Sequence, residues 1–137
     1  MKNYNYISIA VEAINDLYPQ ETEDVVVIQS PYTRRQLLEN KFEMFKYLFK
    51  FKKLPFLFIQ KTNDKIFYII PDDRSQINGL IELLANISNH ICLKDESAKN
   101  DPFYRQTRYE VIYNRIKSQY INIIDKLEIE KNSYFNE

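Results

Sequence analysis

The chain has one glycine, one cysteine, one histidine and no tryptophan, and each shortage removes a class of chemistry. A lone glycine, Gly79, excludes the glycine-rich phosphate loops and the dinucleotide fingerprint, which need several residues without a Cβ beside the phosphates. A lone cysteine, Cys92, cannot close an internal disulfide, so a reducing compartment is expected, the cytoplasm by default. A lone histidine, His90, leaves no material for a multi-histidine metal site or for most triads. No apolar run reaches the roughly 18 residues of a membrane span. The opening Met1-Lys2-Asn3-Tyr4-Asn5 lacks a signal-peptide layout, so neither a membrane partner nor secretion is expected. Charge of one sign is not in excess either, since 19 basic residues balance 19 acidic ones.

What remains is 137 residues with 45% hydrophobic and 15% aromatic content, enough for one domain with its own core. Ile, Lys, Asn, Tyr and Phe dominate, all read from AT-rich codons, so the tyrosine count reflects a low-GC genome before it reflects a binding surface.

Hydrophobic spacing predicts a first helix over 3–18, with Ile7, Ala10, Val11, Ile14 and Tyr18 on one face and Pro19 as its stop. An acidic loop follows, then a short buried strand at 25–28. Thr33 and Gln36 form a capping box for a second helix, expected to run to about Lys53, with Tyr32 and Leu37 placed as a hydrophobic staple. Leu37, Leu38, Phe42, Met44, Phe45, Leu48, Phe49 and Phe51 cover about half of that helix, too wide an arc for one flank on one sheet.

Strands at 56–61 and 65–70 flank Asn63-Asp64, a pair suited to a tight hairpin. Asp72 and Asp73 are expected as a turn and an N-cap, opening a helix with a stripe of Ile77, Leu80, Ile81, Leu84, Ile87 and Ile91. Asp101-Pro102 opens the last helix, where Tyr109, Tyr113, Ile116, Tyr120, Ile123 and Leu127 hold a heptad seam. Running from Pro102 to Glu130 it would be about 43 Å long, more than the roughly 30 Å of a globule this size, which points to a second chain. The expected fold is α+β: a small three-stranded mixed sheet with about four helices, the C-terminal one long. The first strand, its helix and the second strand are expected as a parallel crossover, with the third strand added antiparallel. A winged helix competes, but 33–53 lacks the break a helix-turn-helix requires.

Three groups of residues carry the functional expectations. Residues 33–61 hold eight basic side chains against two acidic ones, and Lys46, Lys50, Lys52 and Lys53 form a basic face without an intervening acid, a possible phosphate track or a solvated surface. Ser30, Thr33, Arg34 and Arg35 sit between a strand and a helix N-terminus, where α/β sheets bind anions. The two arginines there oppose the helix dipole, a cost that a bound anion would relieve. Arg105, Arg108, Tyr109, Tyr113, Arg115 and Tyr120 have the composition of an interface hot spot. His90, Cys92, Asp95 and Glu96 lack the spacing of a zinc site, and no metal, cofactor or catalytic constellation is expected.

No passage carries a family motif. The leading expectation is a small cytoplasmic inhibitor, immunity or anti-defence type protein. It would be homodimeric and would act by occluding a macromolecular partner, protein more than nucleic acid. The alternatives are a nucleic-acid-binding accessory protein using the basic helix, and an anion or nucleotide sensor at residues 30–35.

Overall fold

The computed structural model describes residues 5–40, 55–73, 76–95 and 101–119. Within them lie helix α1 (Tyr6–Leu17), strand β1 (Val25–Gln29), helix α2 (Arg34–Asn40), strands β2 (Phe58–Lys61) and β3 (Ile66–Ile70), and helices α3 (Gln76–Leu93) and α4 (Pro102–Lys117). The α+β class with a three-stranded mixed sheet stands as expected.

Local chemistry explains most boundaries. The side chain of Asn5 accepts from the Ser8 N–H and starts α1 at Tyr6, three residues later than the expected start at residue 3. Thr33 and Gln36 do form the capping box: the Thr33 N–H donates to Gln36 Oε1 at 2.9 Å and the Gln36 N–H to Thr33 Oγ1 at 3.2 Å. Tyr32 stays half exposed, so it adds little as a staple. Asp101 caps α4 through the Phe103 N–H at 2.9 Å, with Pro102 at the first helical position. The Thr62 N–H donates to the Lys65 carbonyl at 2.8 Å, which places Asn63 and Asp64 at the tip of the hairpin.

The strand order, β1-β3-β2, corrects the expected crossover. β1 pairs in parallel with β3, the third strand, while β2 lies antiparallel on the far edge. The reason lies in the strands themselves. Ile66-Phe67-Tyr68-Ile69-Ile70 is apolar on both faces and gains most from a central place, whereas β2 buries only Phe58 and ends in Gln60 and Lys61, which tolerate an edge.

The side chains of Ile66, Tyr68 and Ile70 face one core, shared with α1, α3 and α4. Ile69 and Phe58 face the other, with Leu37 and Leu38 of α2. The rest of the wide apolar arc, from Phe42 to Phe51, lies outside the described residues. α3 is the central helix. It buries Leu83, Ala85, Ser88 and Cys92 besides its predicted stripe, and the Ser88 hydroxyl is satisfied by the Leu84 carbonyl at 2.6 Å. α4 packs on α3 and α1. Tyr109, Ile112 and Ile116 are fully buried there and Tyr113 nearly so. The described part of the heptad seam therefore meets its own chain and not a second one. α4 ends at Lys117 with Ser118 as its C-cap; Tyr120, Ile123 and Leu127 lie outside the described residues.

The lone glycine sits where α3 crosses the approach to β2. A Cβ on Gly79 would stand 2.6 Å from the Phe56 carbonyl oxygen and 3.2 Å from Ile70 Cγ2. In an open helix, Gly to Ala gains about 1 kcal/mol. Here backbone has to move, and overpacking of this kind costs about 1–3 kcal/mol. Gly79→Ala is therefore expected to lower the urea midpoint; an unchanged or raised midpoint would show that the contact is not tight.

Candidate functional site

Parallel strands end together, and the carboxyl ends of β1 and β3 gather the first group of predicted residues. The Ser30 N–H continues the ladder to the Ile70 carbonyl at 2.9 Å, and its buried hydroxyl accepts from the Tyr32 N–H at 3.0 Å. The Asp72 N–H donates to the Tyr32 carbonyl at 2.9 Å, clasping the two strand-to-helix loops together. Arg34, at the start of α2, directs both its backbone N–H (3.2 Å) and its Nε (3.1 Å) at Asp73 Oδ2. Its guanidinium also covers the Phe56 ring, 4.6 Å from the centroid.

Asp73 thus stands where an external anion was expected. It is a carboxylate at the N-terminus of α2, supplied from 39 residues away in the same chain. Glu82 of α3 lies within electrostatic reach of Arg34. Burial pushes the Glu82 carboxyl above the usual range, with the charge of Arg34 opposing that rise. Arg35 is on the exposed side of α2. Ser30, Thr33 and Arg34 follow β1 in one turn, and their polar groups have partners within the chain. Neither Phe56 nor Glu82 was singled out in the sequence. The signal for Glu82 was that it is the only Asp, Glu, Lys or Arg in the segment 76–93.

The second group, Lys46, Lys50, Lys52 and Lys53, lies outside the described residues. The third is divided. Tyr109 and Tyr113 are core residues, which corrects their place on an interface rim. Arg108 is stacked within the chain, its guanidinium 4.5 Å from the centroid of Tyr104 and 5.8 Å from that of Tyr18. The Tyr104 hydroxyl donates to Asp95 Oδ2 at 3.2 Å. Burial pushes the nearby Cys92 thiol up, while Arg108 and Arg105 pull it the other way. Arg115 reaches Asp16 at 3.0 Å on the exposed surface.

His90 turns away from Cys92 and donates to Asp24 Oδ1 at 3.0 Å, and Lys94 meets Asp24 Oδ2 at 3.1 Å. Among the described residues, no three His, Cys, Asp or Glu side chains gather around a possible metal position. None of their helices is long and apolar enough to cross a membrane.

The outer edge of β1 is a different kind of surface. The Ile66 N–H donates to the Asp24 carbonyl and the Ser30 N–H to the Ile70 carbonyl. With the parallel register, these two bonds set the even-numbered backbone groups of β1 toward β3 and turn those of Val25, Val27 and Gln29 outward. The Val25 N–H is taken by the Thr22 carbonyl at 3.0 Å. Among the described residues no strand pairs with this outer edge. Beside it runs a groove of about 370 Å³, lined by Ile7, Ser8, Val11, Glu12 and Asn15 of α1 and by Val27 and Gln29 of β1. The Gln29 side chain closes one end, donating to Asn5 Oδ1 at 3.0 Å and Ser8 Oγ at 3.4 Å.

No family model, curated protein or solved structure matches the chain.

Two carboxylates make opposite statements about pH. Burial works against ionisation of Asp24, but the bonds from His90 and Lys94 prevail and hold its pKa below the usual value. Asp24 therefore contributes stability above the unfolded-state pKa of about 3.9, and loses it as pH falls through the lower folded value. Glu82, with a raised pKa, favours the fold below the unfolded value of about 4.3 and stops doing so as pH rises through the folded one. Asp24→Asn is expected to destabilise at pH 7 and to flatten the acid limb below about pH 4. Glu82→Gln is expected to stabilise at pH 7. Denaturant midpoints between pH 2 and 7 check both signs.

Proposed function

We propose that this chain is a small protein-binding protein that acts by occlusion, covering a surface of a macromolecular partner and not transforming a substrate. The observation that carries the reading is the outer edge of β1. Among the described residues no strand pairs with its outward backbone donors and acceptors, which lie beside a groove, a surface suited to another polypeptide. Large apolar side chains left on the surface add to it: Ile28 beside that edge, and Leu93 and Phe103 elsewhere, Phe103 being 76% exposed.

The partner in this reading is a different protein before it is a second copy. Tyr109, Tyr113 and Ile116 are spent within the chain, so the described seam has no face left for a dimer. The sensor reading loses ground because Asp73 already satisfies the start of α2. Inhibitor and immunity proteins are the functional class in view, and the cytoplasm remains the proposed compartment, following from the single thiol.

The test sets protein against nucleic acid. Immobilised chain is exposed to nuclease-treated extract of the source cells. In parallel, labelled mixed-sequence DNA and RNA are titrated at low and moderate salt. The expected outcome is a protein retained in stoichiometric amount, with nucleic-acid affinity no tighter than the ~100 µM end of the non-specific range. Micromolar DNA or RNA binding that collapses with salt, without a retained protein, would transfer the function to the basic stretch 34–53.

A further inference from the structure

We propose that the outer edge of β1 takes an extended, basic segment of the partner protein as a fourth strand, with alternate side chains entering the groove beside α1. This names the partner chemistry of the protein-binding reading above and rests on it.

Three observations converge. The first is backbone parity. Because Asp24 and Ser30 bond inward to β3, the N–H and C=O groups of Val27 and Gln29 and the C=O of Val25 point outward. Their spacing of two residues, about 6.6 Å, matches the repeat of an added strand. The second is the side-chain lattice. Val27 and Gln29 are on the α1 face of β1, so the same face of an incoming strand lies along the groove. There Ile7, Val11 and Val27 provide apolar contact, and Glu12 and Asn15 provide a polar wall. Ile28, 40% exposed, faces the other side and offers a second apolar contact.

The third observation is charge. From Asn3 to Thr33 the chain carries five carboxylates and no Lys or Arg. Asp16 is paired with Arg115, and Asp24 with His90 and Lys94. Glu12, on the groove wall, has no cation beside it among the described residues. A basic side chain on the incoming strand complements it. A second copy would bring the same carboxylates against themselves, and a phosphate backbone would be repelled.

The probe is an acetylated, amidated heptapeptide, Thr-Val-Thr-Lys-Thr-Val-Thr, which places Val, Lys and Val on one face. Its controls are the same peptide with Glu for Lys, and one N-methylated at alternate amides so that it cannot pair. Binding is followed by amide chemical shifts of the full chain. The expected result is shifts centred on Val27 and Gln29, with affinity at least tenfold weaker for either control. Val27→Pro removes the outward N–H, at the cost of part of the Val27 side chain on the groove, and should weaken binding by a similar factor. Glu12→Lys lies on an exposed helix face and keeps the fold, and it should reverse the preference between the Lys and Glu peptides.

Equal binding of all three peptides, or none, overturns the proposal. So do Val27 and Gln29 amides already protected in the free chain, or concentration-dependent self-association that Val27→Pro abolishes. If the protein captured from extract is held equally by wild type, Val27→Pro and Glu12→Lys, the edge assignment falls and the protein-binding reading stands. If no protein is captured, that reading falls first.

Discussion

A strand that is apolar on both faces has to be covered twice, and β3 imposes that requirement on the molecule. Its Tyr68 and Ile70 are buried against α1, α3 and α4, while Ile69 turns to Leu37, Leu38 and Phe58 on the other side. Leaving such residues wet would forfeit about 1.5–3 kcal/mol for each large side chain. With β3 at the centre, β1 and β2 are necessarily the edges of a three-stranded sheet. β2 suits an edge by ending in polar residues. β1, Val-Val-Val-Ile-Gln, does not, and its open side is the feature from which the functional proposal grows.

Among the described residues, several charged side chains find partners within the chain. Arg34 with Asp73, Asp24 with His90 and Lys94, and Arg115 with Asp16 all join residues far apart in sequence. These pairs are partly exposed and individually weak, and their value lies in register more than in stability. Arg34 shows this best. One carboxylate oxygen accepts from both its backbone and its side chain, so the start of α2 is tied to the loop that follows β3. Two residues earlier the Asp72 to Tyr32 bond clasps the same loops.

Local patterns were legible wherever the signal was contained in a few neighbouring residues. The capping box at Thr33 and Gln36, the Asp101 and Pro102 start of α4, the Asn63-Asp64 hairpin and the stripe of α3 are all short-range, and all are present. In the described half of the heptad seam the apolar face was legible, and what covers it is the chain's own core. A 3-4 spacing reports that Tyr109, Tyr113 and Ile116 are covered, not which helix covers them. The anion expected at Arg34 was right about the electrostatic need, but nothing near Arg34 in the sequence names Asp73 as its answer.

By itself the sequence determined the class of the fold, the capped starts of α2 and α4 and the chemistries it lacks, because propensity, capping and composition act over a few residues. Tertiary structure alone decided that β3 lies between β1 and β2, and that Arg34, Arg108 and His90 meet partners inside the chain. It also decided that β1, apolar as it is, lies on an edge of the sheet. Those outcomes depend on which surfaces compete for burial once all the elements are present, and that competition is long-range.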